Sequence, residues 1–191
     1  MSQREWARHL PPTEITAEEY GALPLELKKR IEVVDGSAIV RPTPSQRHQQ
    51  LVNGIWVALR RLCPRQLDAK LEVDLRLLEA PLHNRRPDVV VYSREAKDSE
   101  VLLPEDVTLV VEVMSSSSQT TDRVHKPAEY SAAGIPHYWR IELEERDVIA
   151  YLFNVDGSGR RYSMLGEVQR GRLVVHEPFP VDLDLHSRLG G

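Results

Sequence analysis

Apolar residues fall along this chain in different rhythms, and each rhythm predicts its own kind of element. From Gln46 to Cys63 they recur at helical spacing. Leu51, Val52, Ile55, Leu59 and Leu62 make one stripe, and Ser45 is placed to cap the first turn. His48 lies on the inward face of that helix, in its first turn. From Leu67 to Leu77 the pattern is strict alternation. Leu67, Ala69, Leu71, Val73, Leu75 and Leu77 share one side and Asp68, Lys70, Glu72, Asp74 and Arg76 the other, which predicts one half-exposed strand. Asp88 to Tyr92 and Val107 to Met114 are almost continuously apolar and read as central strands.

Turn and cap residues separate these runs. Thr16-Ala-Glu-Glu19 has capping-box spacing and opens a short helix before Leu23-Pro24. Asp35-Gly36 lies between Ile31–Val34 and Ser37–Val40 and predicts a hairpin, which Pro42 and Pro44 end. Ser115 to Thr121 is a polar connection. A helix over about Asp122 to Ala133 follows, closed by Gly134 and Pro136. Pro127 either kinks this helix or sets its start near Lys126. Tyr138–Leu143 and Val148–Phe153 pair across Glu144–Asp147, and Arg161–Leu165 and Leu173–Val175 add short strands. This order predicts a mixed α/β (α+β) domain with one central mixed β-sheet flanked by helices. We expect a single domain over 1–191, with a core over about 14–155 and a C-terminal β extension over about 156–191.

Composition narrows the class. With 191 residues, 41% hydrophobic and 28% charged, the chain reads as an ordinary globular domain, and no apolar stretch reaches a membrane span. Met1–His9 lacks the apolar core of a signal peptide, and the lone Cys63 forms no internal disulfide, so a cytoplasmic setting is expected. Cys63 falls late in an apolar helical pattern and reads as a small core residue. The net charge of −4 does not advertise a nucleic-acid binder. Its distribution matters more. Gly36 to Leu67 carries Arg41, Arg47, Arg60, Arg61 and Arg65 and no acid, Arg85 and Arg86 precede Asp88, and Arg123, His125 and Lys126 follow Glu112. A phosphate-facing side, with Arg47, Arg85, Arg86 and Arg123 as nucleic-acid contacts, is the expectation.

The chemistry rests on acids where strands should be apolar. Asp88 opens Pro87-Asp-Val-Val-Val-Tyr92, and Glu112 interrupts Leu109-Val-Val-Glu-Val-Met114. A buried carboxylate is costly unless it is paired or binds a cation. Two carboxylates can hold a hard divalent ion, and the nearby Lys126 can offset charge on a phosphate. Asp122, Lys126 and Tyr130 lie four residues apart in turn and can share one helical face.

These residues resemble the PD-(D/E)XK nuclease superfamily, and more closely its bacterial restriction-endonuclease-like branch long classed as a domain of unknown function. The matching pieces are Glu32-Val-Val-Asp-Gly36, Pro44 with His48, Arg86-Pro-Asp88, Glu112-Val-Met114, Asp122 with Lys126 and Tyr130, and Gly134-Ile-Pro-His-Tyr-Trp139. They cover roughly residues 14 to 155 in the branch's order. The resemblance implies a restriction-endonuclease-like core and a Mg²⁺- or Mn²⁺-dependent endonuclease acting on DNA. Cutting two strands with one site per chain would favour a symmetric homodimer, although the sequence does not fix the oligomeric state. It implies that Asp88 and Glu112 ligate the metal with the Val113 carbonyl, that Lys126 stabilises charge, and that Glu32, His48, Asp122 and Tyr130 support them. The superfamily's lysine normally sits two residues after the glutamate. Met114 occupies that place here, and Lys126 is its expected substitute. Two alternatives remain open: a non-catalytic module of this fold that binds nucleic acid or protein, and a metal-dependent hydrolase of a small phosphorylated substrate.

Overall fold

The computed structural model describes residues 14–115, 120–157 and 159–189. The Met1–His9 segment and Ser116–Ser118 of the serine run lie outside the described residues. Two short helices, α1 (Ala17–Ala22) and α2 (Leu25–Lys28), lead into the hairpin β1 (Ile31–Val34) and β2 (Ser37–Val40) and then the long helix α3 (Gln46–Leu62). Strands β3 (Leu67–Leu71), β4 (Asp74–Leu78), β5 (His83–Arg85), β6 (Val89–Ser93), β7 (Val101–Leu102) and β8 (Val107–Ser115) follow. After α4 (Thr120–Ala132) come β9 (His137–Leu143), β10 (Val148–Val155), β11 (Tyr162–Met164), β12 (Gln169–Arg170), β13 (Arg172–Val175) and β14 (Val181–Asp184). None of the described helices is long and apolar enough to cross a membrane.

The fold is mixed α+β, but its strands form more than one sheet. A seven-stranded sheet runs β11-β10-β9-β8-β6-β3, with β12 beside β10. It is antiparallel except for the parallel β8–β9 pair. A five-stranded sheet runs β2-β1-β5-β4-β7, and β13–β14 is a separate hairpin. The division comes at Glu72, whose backbone adopts a left-handed φ of 45°. Leu67–Leu77 is therefore not one strand: β3 pairs with β6 in one sheet and β4 with β5 in the other. Alternation cannot register a change of direction that conserves its phase. The predicted outward face fails at Asp74 too. It is buried, taking hydrogen bonds from the Arg86 guanidinium and, at 3.0 Å, from the Tyr20 hydroxyl.

The apolar runs of β6 and β8 are explained by burial on both faces. Val89, Val91, Leu109, Val111 and Val113 pack with Leu51, Ile55 and Leu59 of α3. Leu173, Val175, Val181 and Leu183 of the C-terminal hairpin complete that core. Val90, Tyr92 and Val110 pack on the opposite face with Tyr130, Ile135 and Tyr138. Ser45 caps α3 by accepting the His48 N–H at 3.2 Å. Leu62, expected in the buried stripe, is instead 43% exposed, and the stripe closes on Ala58 and Leu59. At the β1–β2 turn Asp35 and Gly36 both have positive φ, 48° and 77°, as the tight hairpin requires.

Candidate functional site

The site forms where the two sheets meet. Val89 pairs with Val111, so one further step of the same register sets Asp88 opposite Glu112. Side chains alternate along a strand, so both acids point to the Val90–Val110 face. Asp88 lies directly before β6, and its Oδ2 accepts the Val113 N–H at 2.8 Å. His48 approaches from the first turn of α3. Its Nε2 lies 2.9 Å from the Val113 carbonyl oxygen and 3.3 Å from Asp88 Oδ2. Nδ1 has no hydrogen-bond partner among the described residues, so Nε2 carries the proton and donates to both oxygens. His48 thus bridges Asp88 and the Val113 carbonyl.

The cation arrives from α4. Lys126 Nζ donates to Glu112 Oε1 at 3.2 Å and lies 3.5 Å from Glu32 Oε1. One turn later the Tyr130 hydroxyl donates to Glu112 Oε1 at 2.8 Å. The helix starts at Thr120 and passes through Pro127. It does not begin at Lys126, so Lys126 and Tyr130 do share a face. Asp122 is within α4, but its side chain lies outside the described residues. Met114, at the superfamily's lysine position, is buried.

Three buried carboxylates in one place load the site with negative charge. Burial, together with Asp88 and Glu32, pushes the Glu112 carboxyl up to about 7, against the opposing pull of Lys126 and the Tyr130 hydroxyl. Burial acts the same way on Asp88, yet the His48 hydrogen bond and charge, then the Val113 N–H and Lys126, hold it below its ordinary value. Burial also opposes ionisation of Glu32, and Lys126, Arg85 and the Arg86 N–H outweigh it. Burial disfavours the charged His48, but Asp88 more than compensates and raises it.

Arg85 and Arg86 do not sit where a surface phosphate contact would. Both are buried. Arg85 donates to both Glu129 oxygens at 2.7 Å and to Glu32 Oε2 at 2.9 Å, while Arg86 pairs with Asp74. Their charge is spent on internal carboxylates. Arg123 is exposed and donates to Glu142 at 3.1 Å, and Arg47 is half-buried in the first turn of α3. Two further residues of the network, Glu129 and Arg41, stand outside every sequence motif. Glu129 bridges Arg85 and His83, whose Nε2 lies 3.1 Å from Glu129 Oε2. Arg41 Nη2 lies 3.9 Å from Asp88 Oδ1, and its Nη1 donates to Glu72 at 3.4 Å. Only the acid-free basic stretch hinted at Arg41.

Among the described residues, no three His, Cys, Asp or Glu side chains gather into an ion-holding group. The donor set is two carboxylates, Asp88 and Glu112, with the Val113 carbonyl beside them. That set fits a magnesium-like ion, which takes one or two carboxylates and keeps its waters. A divalent charge held there would offset the crowding of carboxylates that raises Glu112.

Comparison with known proteins agrees with this architecture. Residues 17–186 match the family Uma2, described as putative restriction endonuclease, and the chain belongs to that family. A crystal structure of a nuclease from Anabaena variabilis, described as putative and assigned to DUF820, superposes with a TM-score of 0.67 at 18% identity, covering 92% of this chain and 99% of the other. At that identity the likeness establishes the shared fold. No curated protein matched.

Proposed function

We propose that the chain is a divalent-metal-dependent nuclease that hydrolyses phosphodiester bonds of DNA. The observation that carries this reading is a lysine from α4 seated on Glu112 of β8, the residue that the strand register sets opposite Asp88 just before β6. The cation is supplied although Met114 stands in the usual lysine position. Asp88, Glu112 and the Val113 carbonyl would hold the metal. Bound there, a hard cation such as Mg²⁺ polarises a phosphate oxygen and lowers the pKa of a water.

The chain's own residues have separable roles. His48 fixes the Asp88 carboxylate and the Val113 carbonyl through one N–H. Tyr130 and Lys126 both act on Glu112 Oε1, orienting that carboxylate. Lys126 also places positive charge where an attacked phosphate gathers negative charge. Glu32, anchored by Arg85 and the Arg86 N–H, holds Lys126 from its other side. Cutting two strands with one such site per chain calls for a symmetric dimer, which light scattering would detect.

The test is cleavage of supercoiled plasmid with Mg²⁺ or Mn²⁺ by wild type, Asp88→Asn and Glu112→Gln, with Mn²⁺ binding followed by calorimetry. We expect metal-dependent cleavage by wild type, and loss of both cleavage and Mn²⁺ binding in each variant. Wild-type protein that binds no divalent ion and cuts no DNA would refute the reading.

A further inference from the structure

Arg41 follows β2, and its backbone N–H is fixed on the Arg30 carbonyl at 2.9 Å. The guanidinium extends to the rim of the carboxylate cluster. It sits near Asp88 Oδ1, the oxygen that neither His48 nor the Val113 N–H engages. Glu32, Asp88, Glu72 and Glu112 all favour its charged form, over the opposing effect of burial. Yet its contacts are long: 3.4 Å to Glu72 and 3.9 Å to Asp88. A guanidinium carries five N–H donors in a flat fork matched to two phosphate oxygens. Arg85 uses that fork fully on Glu129, with two contacts of 2.7 Å, whereas Arg41 makes only its longer contacts to Glu72 and Asp88.

Glu72 explains how Arg41 is kept in place. Its left-handed backbone turns the chain between β3 and β4 and brings its side chain to Arg41. That side chain is 46% exposed, so its hold on Arg41 is weakened by water and easily given up. Arg41 itself keeps 19% of its side chain open to solvent, enough for a substrate to reach.

We propose that Arg41 is a phosphate-binding residue of this site, held in reserve by Glu72 until a DNA phosphate takes over its guanidinium fork. The inference rests on the nuclease reading above and adds a substrate contact to it. Lys126 lies on Glu112 and Glu32, at the reacting end of the site, whereas Arg41 lies beside Asp88 with part of its side chain open to solvent, where it would hold the incoming strand.

The test uses wild type, Arg41→Gln, Arg41→Lys, Glu72→Gln and the Arg41→Gln/Glu72→Gln double variant. Binding of a fluorescent random-sequence duplex is followed by anisotropy in EDTA over a range of KCl. Steady-state cleavage is measured with Mg²⁺. Arg41→Gln should weaken binding, or raise KM, on the order of tenfold with kcat little changed, the size of one charge-assisted hydrogen bond. It should also flatten the slope of log K against log salt by about 0.9, one phosphate contact. Arg41→Lys should retain the slope. Glu72→Gln should tighten binding only where Arg41 is present, which separates release of the guanidinium from a mere loss of negative charge. Wild type that binds or cuts DNA while Arg41→Gln keeps its affinity, KM and slope overturns this inference and leaves the nuclease reading standing. An equal gain from Glu72→Gln in both backgrounds overturns the reserve role. Wild type that neither binds nor cuts DNA overturns both readings together.

Discussion

Removing the Lys126 charge should separate catalysis from metal binding. In the free protein Lys126 is the counter-ion of Glu112 and Glu32, 3.2 Å and 3.5 Å away. At such a separation and an effective dielectric near 20, each contact corresponds to about 5 kcal/mol of Coulomb attraction before desolvation is counted. A metal bound at Glu112 competes with that ammonium for the same oxygen. Lys126→Ala should therefore leave Mn²⁺ affinity unchanged or tighter. Loss of one charge-stabilising group costs about 10²–10³ in rate, so cleavage should fall by that factor. Lys126→Gln, which keeps a donor without the charge, should lose nearly as much. The assays are plasmid nicking under single-turnover conditions and calorimetric Mn²⁺ titration. Urea unfolding of each variant serves as a check, because Glu112 and Glu32 lose their buried partner. Undiminished nicking by Lys126→Ala would remove the lysine from the mechanism. Parallel loss of Mn²⁺ binding and nicking would show that it only builds the metal site.

Three further predictions concern the ion-pair network behind the site. Arg85→Met strands Glu32 and Glu129, and losing one partner of a buried ion pair costs about 3–5 kcal/mol, so urea unfolding should shift by that amount. A loss below about 1 kcal/mol would show that water reaches these acids. For pH, the Glu129 hydrogen bond raises His83 above its ordinary 6.5 despite opposing burial. A raised folded-state value gives stability that is complete below 6.5 and lost as pH climbs through the folded value. His83→Gln should therefore be less stable than wild type at pH 5.5, with the gap narrowing by pH 9. Glu129 runs the other way: His83 and Arg85 overcome burial and lower it to about 2. Its contribution is complete above 4.5 and fades as pH falls toward 2, so Glu129→Gln should approach wild type in acid. A gap for either variant that stays constant with pH would exclude the ionisation as its cause.

What the sequence disclosed follows from what it costs to bury charge. Asp88 and Glu112 were legible because each breaks an apolar run that must lie inside, and an acid there needs a reason. His48 was legible through its helical phase, since the α3 stripe directs it inward. Arg85 was misread because an arginine's burial is decided by its partners. Those partners, Glu129 and Glu32, are 44 and 53 residues away in the chain, and no periodicity spans such distances. Asp74 was misread for the same reason, with its partner Tyr20 54 residues away. The split of Leu67–Leu77 was hidden because Glu72 turns the backbone without altering the alternation. The one-sheet expectation failed at that residue.

The division into two sheets also accounts for the relocated lysine. The seven-stranded sheet brings Glu112 on β8 and sets Asp88 at the start of β6. The five-stranded sheet brings Glu32 on β1 and Arg85 on β5. Alternation puts Met114 on the same side as Glu112, where a lysine would lie along β8 beside its own glutamate. A lysine on α4 instead reaches acids from both sheets at once, 3.2 Å from Glu112 and 3.5 Å from Glu32. Its position depends on how α4 docks. That docking is set by Tyr130, which is buried among Val90, Val110, Ile135 and Tyr138 and donates its hydroxyl to Glu112. The apolar face of α4 and the face that carries Lys126 thus meet in one side chain. Packing of the helix and placement of the charge cannot vary independently, which is how a cation seated one helix away from its glutamate can still be held to hydrogen-bonding distance.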